Sequence, residues 1–292
     1  MISTFVGNSS QMNAVHSKWY LNPPTIATFI FDYKYIEKCS VSIYLRAMNN
    51  KNTVLFIEPR PIDECVAVLN QYIKVLGKDA WNYVFYCGKD TTAYWRQLGV
   101  PLIVELRELD VYNFEHHSEY SDFLKRRDLW SGLSGDFVLT AQVDTWIFDD
   151  GGIDIAAFLN LNKSYIGGNM ECDWVELVRE GINPSVKCFN GGLSLRKRLD
   201  MIRVIDSFPP VSSSYSNTAS FGLETDAEDV YFVIGCYKLG LSVGDDAISK
   251  HFALHHTWVE PFFGTHQPHR MVKTCLNELY HDLASKNPYL RL

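Results

Sequence analysis

The sequence predicts an α/β domain: a central, mostly parallel mixed sheet covered by helices on both faces, an α/β/α sandwich. Three observations carry that prediction. Short apolar runs of the continuous kind needed by a strand buried on both faces alternate with amphipathic stretches in the first half of the chain. Segments rich in Pro or Gly end several of these runs. No shift of composition marks a place to cut the 292 residues, so 1–292 is taken as one domain.

The elements follow in order. Thr25 to Asp32 (TIATFIFD) is apolar and β-branched and is a fair match to a strand. Thr53 to Ile57 (TVLFI) is a second strand, ended by Glu58-Pro59-Arg60-Pro61. Ile62, Cys65, Val66, Leu69, Tyr72, Ile73 and Leu76 then recur at helical spacing, with Gly77 as the natural cap. Trp81 to Tyr86 is a strand running into Cys87-Gly88, Thr92 to Leu98 a short helix, and Leu102 to Leu106 a further strand. Right-handed crossovers would make these strands parallel. Tyr120 to Leu133 is expected as one amphipathic helix, and Asp136 to Ala141 as a strand that runs directly into Gln142-Val143-Asp144. Beyond it the texture changes to Gly, Asn and aromatic residues. Asn190-Gly191-Gly192 is expected as a tight turn leading to a basic helix start at Arg196, Lys197 and Arg198, and Val211 to Ser220 as a Ser-rich loop.

Composition narrows the function classes. Apolar residues at 47% and charged residues at 21% describe a globular chain with a sizeable core, excluding disordered and fibrous classes. With 34 acidic against 27 basic residues the net charge is −7, which argues against a broad nucleic-acid surface. A small phosphorylated ligand held by a few residues or a metal stays open. The seven cysteines are scattered and contain no C-x-x-C pair, the pattern of buried thiols in a reducing compartment. No apolar run reaches membrane-spanning length, and Met1 to Tyr20 lacks the layout of a secretory signal, so the expectation is a soluble, cytoplasmic protein.

Ligands of open α/β sheets sit beyond the carboxyl ends of the strands. Three polar clusters fall there: Glu58 with Arg60, Gly88-Lys89-Asp90, and Gln142 to Asp144. Arg60 can stack on a base or pair with a phosphate, or else close a rim salt bridge with Glu58. Asp144 can hold a divalent cation, or else cap a turn or helix. Gly191 and Gly192 would let backbone approach a ligand closely, or else form an ordinary loop. Glu228 and Asp229 are acids at a helix start, which suits the helix dipole and also suits a general base beside a reacting hydroxyl. Five of the nine histidines lie in the last quarter, His266 among them, without metalloprotease spacing.

In combination these residues resemble a known family. Glu58-Pro-Arg-Pro, Gln142-x-Asp144, Tyr165-Ile-Gly-Gly, Asn190-Gly-Gly-Leu-Ser-Leu-Arg196, Glu228-Asp229-Val-Tyr-Phe232 and Gly264-x-His266 occur in the order found in the DUF5672 family, glycosyltransferase-like proteins of large DNA viruses and some fungi and bacteria. The resemblance runs from about Thr53 to His269, and the Asn-Gly-Gly block is its most specific part. It implies the GT-A fold, a single α/β/α domain with a Rossmann-like nucleotide-binding half at about 25–150 and an acceptor and catalytic part at about 151–292. It further implies transfer of a sugar from a nucleotide sugar with Mn²⁺ or Mg²⁺. Asp144 stands where those enzymes have the second acid of Asp-x-Asp, with Gln142 in place of the first, and His266 would be a second metal ligand. Glu58, Arg60, Gly88, Gln142, Asp144, Gly191 and Gly192 would bind the nucleotide sugar. Asp229, or else Glu228, stands where inverting enzymes keep the base. The chain departs from the family pattern at Gly167 to Met170 and at Leu254-His255.

The reading implied by this resemblance is an inverting, metal-dependent glycosyltransferase using a UDP-linked xylose or glucose and a glycan or glycoprotein acceptor, in viral glycan synthesis in host cytoplasm. It involves no nucleic acid and no membrane span, and leaves both monomer and homodimer open. The alternative is a non-catalytic nucleotide- or carbohydrate-binding module on the same fold.

Overall fold

Four strands and the helices between them realise the alternation that the first half of the sequence announces. In the computed structural model, which describes residues 51–149, 152–170, 181, 188–210, 227–255 and 259–267, they are β1 (Thr53–Glu58), β2 (Asn82–Cys87), β3 (Val104–Glu108) and β4 (Phe137–Ala141). They pair in parallel in the order β3-β2-β1-β4. Helices α1 (Glu64–Leu76) and α2 (Thr92–Leu98) make the crossovers, and Gly77 closes α1 at φ +85°, a conformation that favours glycine. The expected strand at Thr25–Asp32, the Ser-rich loop at Val211–Ser220 and the acids Glu224 to Asp226 lie outside the described residues.

Between β3 and β4 the structure differs from the single helix expected over Tyr120–Leu133. Two short helices, α3 (His117–Leu124) and α4 (Arg127–Ser131), meet at Lys125-Arg126. The break is held by a bond the spacing does not show, from the Trp130 indole N–H to the Leu124 carbonyl at 2.7 Å. After β4 come β5 (Thr145–Ile147), α5 (Ile155–Asn160) and β6 (Tyr165–Asn169).

The second difference is larger. Asn190-Gly191-Gly192 is not a turn. It lies inside β7 (Cys188–Lys197), which runs antiparallel to both β4 and β6 and completes a six-stranded sheet, β3-β2-β1-β4-β7-β6. Arg196 therefore belongs to a strand, and the following helix, α6, begins at Arg198 (Arg198–Ser207). Pairing of the flanking residues, Asn190 with Gly168 of β6 and Ser194 with Thr140 of β4, outweighs the local turn preference of the two glycines. Helices α7 (Glu228–Lys238) and α8 (Asp246–Phe252) follow, and β8 (Ala253–Leu254) and β9 (Gly264–His266) join β5 in a small sheet ordered β5-β9-β8.

Strand alternation divides the core into two layers. Val54 and Phe56 of β1, Tyr83 and Phe85 of β2 and Leu193 and Leu195 of β7 face α1, α2, α5 and α8. Leu55, Ile57, Val84 and Val138 face α3, α4, α6 and α7 on the other side. The cysteines Cys65, Cys87 and Cys236 are buried thiols. Among the described residues, no helix is long and apolar enough to cross a membrane.

Where α7 meets α6 the packing leaves no room for a methyl group. A Cβ on Gly235 would stand 2.2 Å from Val204 Cγ1. Alanine in a helix is favoured over glycine by about 1 kcal/mol, whereas overpacking costs roughly 1–3 kcal/mol, and Val204 has little rotamer freedom with which to retreat. Gly235→Ala is therefore expected to lower the thermal midpoint by a few degrees, and Val204→Ala in the same chain to recover part of that loss, both followed by circular dichroism.

Candidate functional site

The parallel strands end on one side of the sheet, and a cavity of about 400 Å³ lies there. Glu58, Pro59 and Arg60 line it from the end of β1, and Gln142, Val143 and Asp144 from the end of β4. Gln267 lines it after β9, and Asn113, Phe114, Glu115, His116, His117 and Tyr120 from the segment between β3 and α3. Two of the three polar clusters picked out at strand ends thus converge. Gly88 does not line the cavity. A Cβ there would strike the Pro59 carbonyl at 2.2 Å, Lys89 pairs with Asp110, and the Lys89 N–H donates to the Val111 carbonyl, so the segment after β3 covers the end of β2.

Glu58 is buried, and its carboxylate accepts from Arg60 Nε and Nη2, each at 2.8 Å. The rim salt bridge is therefore the arrangement adopted. It fixes a half-exposed guanidinium at the cavity wall as a flat, oriented plate.

Asp144 is placed by the turn between β4 and β5. The Gln142 carbonyl accepts from the Thr145 N–H at 3.1 Å and from its hydroxyl at 2.6 Å. Thr145 pairs with His266 across the β5–β9 ladder, and the Gln267 N–H donates to the Asp144 carbonyl. Strand pairing thus brings residues 122 positions apart in sequence together, with His266 Nε2 at 3.5 Å from Asp144 Oδ1. Desolvation pushes the Asp144 pKa up, but the adjacent His266 and Gln267 outweigh it and the net shift is downward. His266 is buried, its ring stacks on His255 at 5.2 Å between centroids, and neither of its ring nitrogens has a hydrogen-bond partner. Gly192 makes room for that ring, since a Cβ there would stand 2.2 Å from His266 Nε2. A buried imidazole with unmatched nitrogens beside a carboxylate kept in its charged form is a donor pair suited to a divalent cation. Among the described residues, no group of three or more His, Cys, Asp or Glu is gathered in that way.

Behind Gly191 lie the two acids at the start of α7. Glu228 is buried and paired with Arg196, Nη2 to Oε1 at 3.0 Å, and accepts from the Ser121 hydroxyl at 3.4 Å. Asp229 is half-buried and accepts from the Gly191 N–H at 3.0 Å and the Val230 N–H at 2.8 Å. Desolvation, with repulsion from Glu228 second, raises the Asp229 pKa to about 7, against the smaller opposing pull of those bonds and Arg196. Neither acid lines the cavity. Tyr120 does, and it feels the charges of Glu228, Arg196 and Asp144 and bonds the Gln142 side chain, so it stands between the two groups of acids.

The sequence reading missed the segment Asn113 to His117, together with Tyr120 and the part played by Arg196. The two adjacent histidines and Phe114 directly follow a strand end, which was the one available signal.

A family profile described as "Protein of unknown function (DUF5672)" matches residues 103–269, more than half of the chain. No curated protein matches. Among solved structures, the crystal structure of S. aureus TarS 1-349 is similar at 13% identity and a TM-score of 0.44. The alignment covers 81% of this chain and 65% of that one, so this chain spans just under two thirds of the neighbour.

The raised Asp229 pKa has a consequence for stability. Between the unfolded value near 3.8 and the folded value of about 7 the native state holds the proton more tightly, so this group's contribution falls as pH rises through that window. Asp229→Asn removes the effect. The thermal midpoint of the variant minus that of the wild type is expected to increase from pH 4.5 to pH 7.5, and an equal difference at both values would show Asp229 ionised throughout.

Proposed function

The chain belongs to the DUF5672 family, and from its site we propose that it is a metal-dependent glycosyltransferase that moves a sugar from a nucleotide sugar to an acceptor hydroxyl with inversion. The observation that carries the reading is the meeting of Asp144, which lines a cavity beyond the parallel strand ends, with the buried His266 ring, whose nitrogens have no hydrogen-bond partner. The resemblance of the Gln142-x-Asp144 position to Asp-x-Asp supports it.

One carboxylate and one imidazole leave most positions of Mn²⁺ or Mg²⁺ free for diphosphate oxygens and water. Bound there, the cation would neutralise a diphosphate leaving group as a Lewis acid. The protein's own groups do the rest. Arg60, oriented by Glu58, offers its guanidinium to the nucleotide, and Tyr120 and Gln142 shape the floor between donor and acceptor. Asp229 is assigned to take the proton of an acceptor hydroxyl that must reach it beyond the cavity lining, on the far side of Tyr120, and a pKa near neutrality suits a general base. Glu228 is already matched by Arg196 and Ser121, which favours Asp229 of the two acids. A UDP-linked xylose or glucose as donor, a glycan or glycoprotein as acceptor and a role in viral glycan synthesis belong to the same proposal.

Two measurements test it. A panel of nucleotide sugars should raise the thermal midpoint of the wild type more with Mn²⁺ than without, and Asp144→Ala should abolish the Mn²⁺-dependent part. Release of nucleoside diphosphate should accompany donor turnover in the wild type and fall by about 10²–10⁴-fold in Asp229→Asn, with donor affinity kept within a few-fold. Donor binding with no turnover under any condition would replace the enzyme by a binding module.

A further inference from the structure

Arg196 closes the most specific motif of the chain, yet it touches neither the cavity nor the Asp144–His266 pair. Its side chain is completely buried. The guanidinium carbon stands 5.0 Å from the ring centre of Tyr165, 5.4 Å from Phe232 and 5.8 Å from Trp130. Nε donates to the Ser194 hydroxyl at 2.8 Å, while Nη2 donates to Glu228 at 3.0 Å and reaches the Gly191 carbonyl at 3.5 Å. That glycine's N–H donates in turn to Asp229. Arg196 therefore grips the two groups that flank Asp229, one preceding it in sequence and one bonded to it across space.

We propose that Arg196 is a positioning residue: by clamping the Glu228 carboxylate and the Gly191 carbonyl it holds the Gly191 N–H on Asp229 and sets where that carboxylate stands. The link to turnover rests on the assignment of Asp229 as the base. Glu228 is then held at both oxygens, its Oε1 by Arg196 and its Oε2 by Ser121.

The close packing around this pair explains why position, and not stability alone, is at stake. A buried ion pair commonly adds little stability over apolar groups of the same volume, so a core needing only stability could dispense with both charges. A Cβ on Gly191 would stand 2.4 Å from Glu228 Oε1 and 2.8 Å from Arg196 Nη2, so the guanidinium and carboxylate fill the space against this backbone. The Gly191 carbonyl also accepts from the Thr140 hydroxyl at 3.2 Å and the Ser194 hydroxyl at 3.1 Å, so Arg196 and Glu228 add the last constraint to a peptide already held on one side.

The test pairs Arg196→Met with Glu228→Gln. Each single change strands a buried partner and is expected to lower the thermal midpoint sharply, whereas the double variant carries neither charge and should recover it. Two quantities are then compared between wild type and double variant: kcat and KM for the donor, and hydrogen exchange at the Gly191 amide by NMR. The expected result is faster exchange at Gly191 with protection in β1 unchanged, kcat lower by about 10²-fold, and KM within a few-fold. If the double variant does not fold, Arg196→Lys keeps a positive charge opposite Glu228 but loses the planar fork, and the same quantities are read. Unchanged exchange at Gly191 overturns the proposal. Faster exchange with wild-type kcat overturns its link to the reaction. A wild type that transfers no sugar overturns the glycosyltransferase reading alone, because the exchange measurement needs no turnover.

Discussion

A guanidinium buried completely in a protein needs a counter-charge, because an unpaired charge there costs several kcal/mol. Arg196 is that group in this fold: Nε and Nη2 are matched by Ser194, Glu228 and Gly191 while Nη1 has no hydrogen-bond partner, and these contacts fix much of what surrounds it. On β7 it stands opposite Val138 of β4 and Tyr165 of β6, and its alternation with Leu193 and Leu195 sends the leucines to one core layer and the charge to the other. A slip of one residue in β7 would drive the charge among α1 and α8 and the leucines against Glu228. The start of α7 is fixed by the same contact, since Glu228 must reach Nη2.

The two glycines of β7 lie where its register with β6 shifts, so simple alternation from Arg196 does not carry through to them. The missing side chain of Gly191 leaves room for Glu228 and Arg196, while that of Gly192 leaves room for His266. The last pair of the β4–β7 ladder is Thr140 with Ser194, so this bare stretch of backbone extends past the carboxyl end of β4, the side on which the cavity opens. The carboxylates of α7 and the imidazole of β9 thus approach a single strand from its two sides. The glycines serve close approach by the protein's own groups, and the Gly191 N–H is spent on Asp229.

This explains which parts could be read from the residues and which could not. β1, β2 and β4 were legible because each is a largely apolar run, and α1 because it repeats at 3.6 residues, both local signals. β3 (VELRE) starts at Val104, two residues beyond the expected start at Leu102, because Leu102 and Ile103 are exposed. That Asp144, Glu58 and Arg60 line one cavity was legible because the carboxyl ends of the strands in such sheets face one side. His266 came by resemblance alone; the ladder that brings it to Asp144 joins segments more than a hundred residues apart, and no local pattern encodes that. Asn190-Gly191-Gly192 reads as a turn because Gly-Gly is a turn signal, and only the pairing of its flanking residues with β6 and β4 holds it extended. Arg196 was taken for the start of a basic helix because arginines are rarely fully buried, and the rings that enclose it come from α4, β6 and α7.

The charges around the cavity carry the functional reading one step further. Among its lining residues Arg60 is the one guanidinium, and Glu58 already matches it with two bonds. Asp144 keeps its negative charge, as its lowered pKa requires, and Glu115 lines the same space. A diphosphate entering here would meet a carboxylate with no spare guanidinium to offset it. At 4 Å, two like unit charges repel by roughly 4 kcal/mol at an effective dielectric near 20, enough to weaken binding about a thousandfold. On the proposed reading, a divalent cation held by Asp144 and His266 would offset that repulsion. The carboxylate that would reject a bare nucleotide diphosphate would then be what ties its binding to the metal.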